Sequence, residues 1–83
     1  MGEYADAKIK KVKQLLKWLE TREHITVARG GKHNYSVKYT FAARPFPVPF
    51  KHGMVNKHIV KDLMKHLVSW GVCTEEEFDE RIR

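Results

Sequence analysis

Apolar residues first recur with a helical period. Ile9, Val12, Leu15, Leu16 and Leu19 fall on one face of a segment from about Ala5 to Thr21, the spacing of an amphipathic helix. Lys10, Lys13 and Lys17 form a separate stripe, so the helix has an apolar and a basic face. Asp6 stands where an N-cap is expected, because a carboxylate there can accept from the free N–H groups of a first turn. Trp18 sits at the boundary of the two faces and is expected to anchor the core.

The period then shortens to two. Ile25-Thr26-Val27-Ala28 is a short, partly β-branched run, and Tyr35, Val37, Tyr39 and Phe41 alternate with Ser36, Lys38 and Thr40. Such alternation predicts a strand with one buried face. Arg29-Gly30-Gly31-Lys32 reads as a turn, since paired glycines admit positive φ. Ala42-Ala43-Arg44-Pro45 is a second turn. Phe46-Pro47-Val48-Pro49-Phe50 alternates again, but its prolines donate nothing to a ladder and place it at a sheet edge. A three-stranded antiparallel meander is expected.

Helical spacing returns with Ile59, Val60, Leu63, Met64, Leu67 and Val68. Asn56 is the expected N-cap, Val55 with Val60 fits a hydrophobic staple, and Gly71 ends the helix. Thr74-Glu75-Glu76-Glu77 reads as a capping box, with Cys73 and Phe78 as its staple. A short acidic helix from about Glu75 to Ile82 follows, expected to be a solvated tail. The order α-β-β-β-α plus a terminal helix predicts an α+β two-layer fold with a double-stranded-RNA-binding-like layout, as a single domain over residues 1–83.

Composition adds charge. The 83 residues hold 16 Lys and Arg against 10 Asp and Glu, a net charge of +6. Residues 75–80 carry five of the acids, which leaves residues 1–74 with 14 basic and five acidic groups. A basic body suits nucleic acid or an acidic protein. One cysteine, Cys73, excludes an internal disulfide and a multi-cysteine metal site, and its apolar neighbours predict burial. The sequence has neither a membrane-length apolar run nor a secretory signal pattern, so a cytoplasmic protein without membrane contact is expected.

Chemistry then depends on five histidines. His24 follows a helix end, where it is expected to contact the last carbonyls. His58, Asp62 and His66 are spaced for one helix face, but Lys57, Lys61 and Lys65 beside them disfavour a metal, and a solvated face is expected. His33 follows the glycine turn. The glycines let a ligand approach the backbone, and Arg29 and Lys32 favour a neutral imidazole able to act as a base. A turn histidine with one backbone hydrogen bond is the bland alternative.

Gly30-Gly31-Lys32-His33-Asn34-Tyr35 resembles the Gly-Ser-His-x-x-aromatic signature of HicA toxins. Pro47-Val48-Pro49-Phe50-Lys51-His52 is similar to their Val-Pro-x-His strand end. Val60-Lys61-Asp62-Leu63-Met64-Lys65-His66-Leu67, with Gly71 and Thr74-Glu75-Glu76-Glu77-Phe78, resembles their closing helix and tail. The resemblance covers roughly residues 10–78. It implies metal-independent cleavage of mRNA without a cofactor, and neutralisation by a HicB-type antitoxin. The family's catalytic histidine corresponds to His33.

The residue chemistry gives a route. His33 removes the 2′-OH proton, attack on phosphorus yields a 2′,3′-cyclic phosphate, and Lys32 and Arg29 stabilise the charge that develops. His52 or water is the candidate acid for the leaving 5′-oxygen. Lys10, Lys13, Lys17, Lys57, Lys61 and Lys65, with Arg29, Gly30 and Gly31, are the candidate RNA contacts, and the helix start near Asn56 is a further phosphate site. Tyr35, Tyr39, Trp18 and Trp70 are expected in the core. A non-catalytic RNA-binding module and a protein-interaction domain are the alternatives.

Overall fold

In the computed structural model, residues 4–31 and 34–82 are described. The chain runs β1 (Ala7–Lys8), α1 (Ile9–Leu19), β2 (Ile25–Arg29), β3 (Asn34–Tyr39), β4 (Phe46–Pro49), β5 (Met54–Val55), α2 (Lys57–Ser69) and α3 (Glu75–Ile82). The predicted meander is present as antiparallel β2-β3-β4. Ile25 pairs with Tyr39, Val27 with Val37, Val37 with Phe46, and Tyr35 with Val48, so these residues share one face. Ile25, Val37 and Val48 are buried there. Thr26, Ala28, Lys38, Pro47 and Pro49 on the other face are exposed. In this sheet β4 pairs only with β3, so its prolines sit at an edge.

The helices cover the apolar side, α1 against β2 and α2 against β4. Val12, Leu15, Leu16 and Leu19 of α1 and Val60, Leu63, Met64 and Leu67 of α2 join the sheet residues in one core. The start of α1 differs from the predicted one. Ala7 and Lys8 are extended and pair with Val55 and Met54, and the Ile9 N–H donates to the Gly53 carbonyl at 2.8 Å. Asp6 therefore does not cap α1. Its Oδ1 accepts from the Lys57 N–H at 2.9 Å and caps α2 instead, beside Asn56, which accepts from His58 N–H at 2.8 Å.

The other punctuation is as expected. Gly71 takes φ 73° after α2, with Val72 N–H donating to Leu67 O and Gly71 N–H to Val68 O, each at 3.0 Å. This is a Schellman motif, whose left-handed residue favours glycine. Thr74 and Glu77 bond reciprocally, Glu77 N–H to Thr74 Oγ1 at 3.1 Å and Thr74 N–H to Glu77 Oε1 at 2.9 Å.

Two further expectations about the fold need correction. The terminal helix is not a solvated tail. Phe78 is fully buried, its ring edge-on to Tyr4 at 5.7 Å, and α3 packs on both α1 and α2. The Tyr4 hydroxyl donates to Asp79 Oδ1, and the Arg81 guanidinium lies 4.7 Å over Trp18. Apolar anchoring by one residue thus outweighs the solvation of its acidic neighbours. Phe41 is not on a buried strand face. β3 ends at Tyr39, the chain turns with Ala42 N–H donating to Tyr39 O at 2.9 Å, and Phe41 is 70% exposed.

Cys73 is buried, as expected. Desolvation, reinforced by the Glu77 carboxylate and opposed by Arg22, pushes its thiol above the usual range. The folded chain holds this proton more tightly than the unfolded chain. That contribution is complete below the unfolded thiol pKa and is lost as pH rises through the folded value. Ellman's reagent at pH 8 should therefore react slowly with the folded chain and rapidly in denaturant; equal rates would contradict the burial.

Candidate nucleic-acid interface

The glycine turn is closed by Gly30 N–H donating to Asn34 O at 3.0 Å, and Gly31 takes φ 98°. A Cβ at Gly31 would be strained by that backbone. Lys32 and His33 lie outside the described residues. Arg29 ends β2 opposite Tyr35, with its guanidinium 5.9 Å over the Tyr35 ring. That ring stacks on Phe50 at 5.6 Å.

Register decides what stands beside this turn. Asn34, directly after His33 in the chain, pairs with Pro49. The chain leaving β4 therefore emerges next to the start of β3. Lys51 and Met54 exchange backbone hydrogen bonds at 2.9 and 3.0 Å around His52 and Gly53, whose φ values are 54° and 74°. Two positive φ values in a two-residue connection define a type I′ turn. Histidine is among the residues that enter this region more readily. His52 is exposed at its tip.

Both long helices begin at this end of the sheet, α1 from its bond to Gly53 and α2 from Asn56. A groove of about 670 Å³ lies here, with Pro49, Phe50, Met54 and Ile59 as its apolar lining and Lys51 and His52 among its polar residues. Lys10, Lys13, Lys17, Lys57, Lys61 and Lys65 are all exposed. They do not converge on the turn. At ~1.5 Å per residue, Lys17 stands roughly 10 Å beyond Lys10 along its helix, and Lys65 roughly 12 Å beyond Lys57. The structure brings Arg29, Gly30, Gly31 and His52 to one end, with Lys10 and Lys57 on the first helical turns there.

The start of α2 is not an open anion site, contrary to expectation. Its first two N–H groups donate to Asp6 and Asn56 side chains, and those of Ile59 and Val60 donate to the Asn56 carbonyl at 3.0 Å. The Asp6 carboxylate also places negative charge where a phosphate would sit.

His58, Asp62 and His66 do not converge. His66 lies 4.6 Å from the Phe46 ring and 5.6 Å from Trp70, with Nδ1 2.9 Å from the Asp62 carbonyl oxygen. His58 lines a hollow with Tyr4, Lys57 and Lys61. Among the described residues, no group of three His, Cys, Asp or Glu is placed to hold a metal ion. His24 takes φ 69°, and its carbonyl accepts from the Thr40 N–H at 2.9 Å. Its ring packs against Tyr39 at 6.4 Å and Phe41 at 4.8 Å rather than capping α1. Tyr35, Tyr39, Trp18 and Trp70 are half-buried against the core, as expected.

The described residues form a small α+β fold with three helices and antiparallel sheets. No helix among the described residues is long and apolar enough to cross a membrane. In comparisons with known proteins, no family model, no curated protein and no solved structure matches this chain.

Proposed function

We propose that this chain is a metal-independent ribonuclease toxin of double-stranded-RNA-binding-like fold, cleaving mRNA in the cytoplasm and neutralised by a HicB-type antitoxin. The resemblance of its motifs to HicA toxins suggests the class. The observation that supports the chemistry is the pairing of Asn34 with Pro49, which brings the end of β4, three residues before His52, to the start of β3. A base and an acid on either side of one phosphate need that neighbourhood.

In this reading His33 takes the proton of the 2′-OH, and O2′ bonds to phosphorus. The bond from phosphorus to O5′ breaks, and protonated His52 supplies the proton to O5′. Lys32 and Arg29 stabilise the charge on the phosphoryl oxygens. The lysine faces hold the flanking backbone, so binding weakens with salt.

His52→Asn tests the acid directly. Asn-Gly is the favoured pair for a type I′ turn, so the fold should be kept. Cleavage of RNA in excess EDTA should slow by about 10²-fold or more. An unchanged rate would move the acid to water. A strict metal requirement would sink the ribonuclease reading, and salt-sensitive binding without cleavage by the wild type would leave a binding module.

A further inference from the structure

The phase of the hydrogen bonds fixes which way each sheet residue turns its backbone. Thr40 N–H donates to His24 O at 2.9 Å, and Gly30 N–H to Asn34 O at 3.0 Å. Antiparallel partners exchange such bonds at every second pair. Between these two pairs, Thr26 and Ala28 therefore bond to Lys38 and Ser36 of β3. Ile25, Val27 and Arg29 turn their N–H and C=O groups away from β3. Among the described residues β2 pairs with no other strand, so these groups form an open edge. Thr26, Ala28 and Arg29 are exposed and Val27 is half-buried, as an uncovered edge requires.

The opposite edge is closed. By the same alternation Tyr35 and Val37 bond to Val48 and Phe46 of β4. Pro47 and Pro49 then stand where N–H groups would face outward, and proline has none. An added strand would find no donors from them. β2 carries no proline or lysine, and its register with β3 has no bulge, so it lacks the usual devices that keep an edge unpaired. Its one charged residue, Arg29, stands at its end.

We propose that β2 pairs with β2 of a second copy of this chain, antiparallel about a two-fold axis at Val27. In this register Val27 meets Val27, and Ile25 meets Arg29 of the second copy. Every outward-turned group gains a partner, and the two sheets join edge to edge with their helices on the same side. The two half-buried Val27 side chains cover one another. The two edges together select a second copy. Joining open edge to open edge leaves only proline-closed edges outside, so the assembly is isologous and stops at two. Each Arg29 lies roughly 13 Å along the strands from its copy at ~3.3 Å per residue, beyond the screening length of about 8 Å at physiological salt. The pairing does not depend on the ribonuclease reading.

Sedimentation equilibrium of the purified chain from roughly 10 μM to 1 mM, the range of a small interface, tests the pairing. The wild type should be a monomer–dimer mixture. Its association should tighten with salt, because each copy carries a net charge of +6. Val27→Lys or Val27→Glu alone sets like charges opposite each other at the axis and should weaken the dimer about fivefold or more. An equimolar mixture of the two variants should regain it, because in this register only Val27 meets its own copy. Circular dichroism checks the fold of each variant. In the wild type itself, amide exchange at Ile25, Val27 and Arg29 should slow as protein concentration rises, and change less at Thr26 and Ala28. A wild type still monomeric at roughly 1 mM would overturn the proposal and leave the edge to a strand of another protein. A dimer that both variants keep, or that mixing folded variants fails to restore, would overturn it as well.

Discussion

Phe78→Ala is expected to destabilise the chain by about 3–5 kcal/mol, the usual cost of emptying a buried phenylalanine site. Domains hold only ~0.05–0.15 kcal/mol per residue, so this removes a large part of the stability of 83 residues. The cause is specific. Phe78 is fully buried, meets Tyr4 edge-on, and sits in a helix whose start is locked by the Thr74–Glu77 capping box. Losing it also frees Tyr4 from Asp79 and Arg81 from Trp18. Urea unfolding followed by tryptophan fluorescence measures the effect. A loss below about 1 kcal/mol would mean that α3 is an appendage and not part of the core.

His33→Ala is expected to lower RNA cleavage by about 10²–10⁴-fold, the range a positioned base supplies. Folding should persist, because Gly30 and Gly31, which precede it in this turn, are exposed and outside the core cluster. RNA affinity should fall little, since the exposed lysines of α1 and α2 remain. Lys32→Ala should slow cleavage in the same assay through weaker charge stabilisation, and by less than His33→Ala. Single-turnover rates of the two variants beside the wild type measure both losses.

Where signals are local, the fold could be read from the chain. Asn56, Gly71 and the Thr74–Glu77 pair act within a few residues of the helix ends they define, and those ends are where they were expected. The meander also followed from alternation. Signals that cross the chain could not be read. Asp6 caps a helix 51 residues away, and its local neighbours suggest α1 instead. The paired strands Ala7–Lys8 and Met54–Val55 are too short to show a period. Phe41 continues the period of β3 after the strand has ended, so alternation assigned it to the wrong environment.

The candidate site divides in the same way. The glycine turn and both lysine stripes are contiguous or periodic, and they stand out in the sequence. Lys32 and His33 themselves lie outside the described residues. The type I′ geometry at His52-Gly53 could be suspected from a residue pair tolerant of positive φ, but its place beside the glycine turn comes from register. A ring cluster at the Tyr39 end of the sheet draws on His24, Tyr39, Phe41, Phe46, His66 and Trp70. Those positions follow no single period, so only folding reveals them.

The most direct measurement is RNA cleavage by the purified chain in excess EDTA, wild type beside His33→Ala, with products scored for 2′,3′-cyclic phosphate ends. Cyclic phosphate is expected from the wild type, with a loss of at least about 10²-fold in the variant at equal folded content. Equal cleavage by both proteins, or none by either, would contradict it.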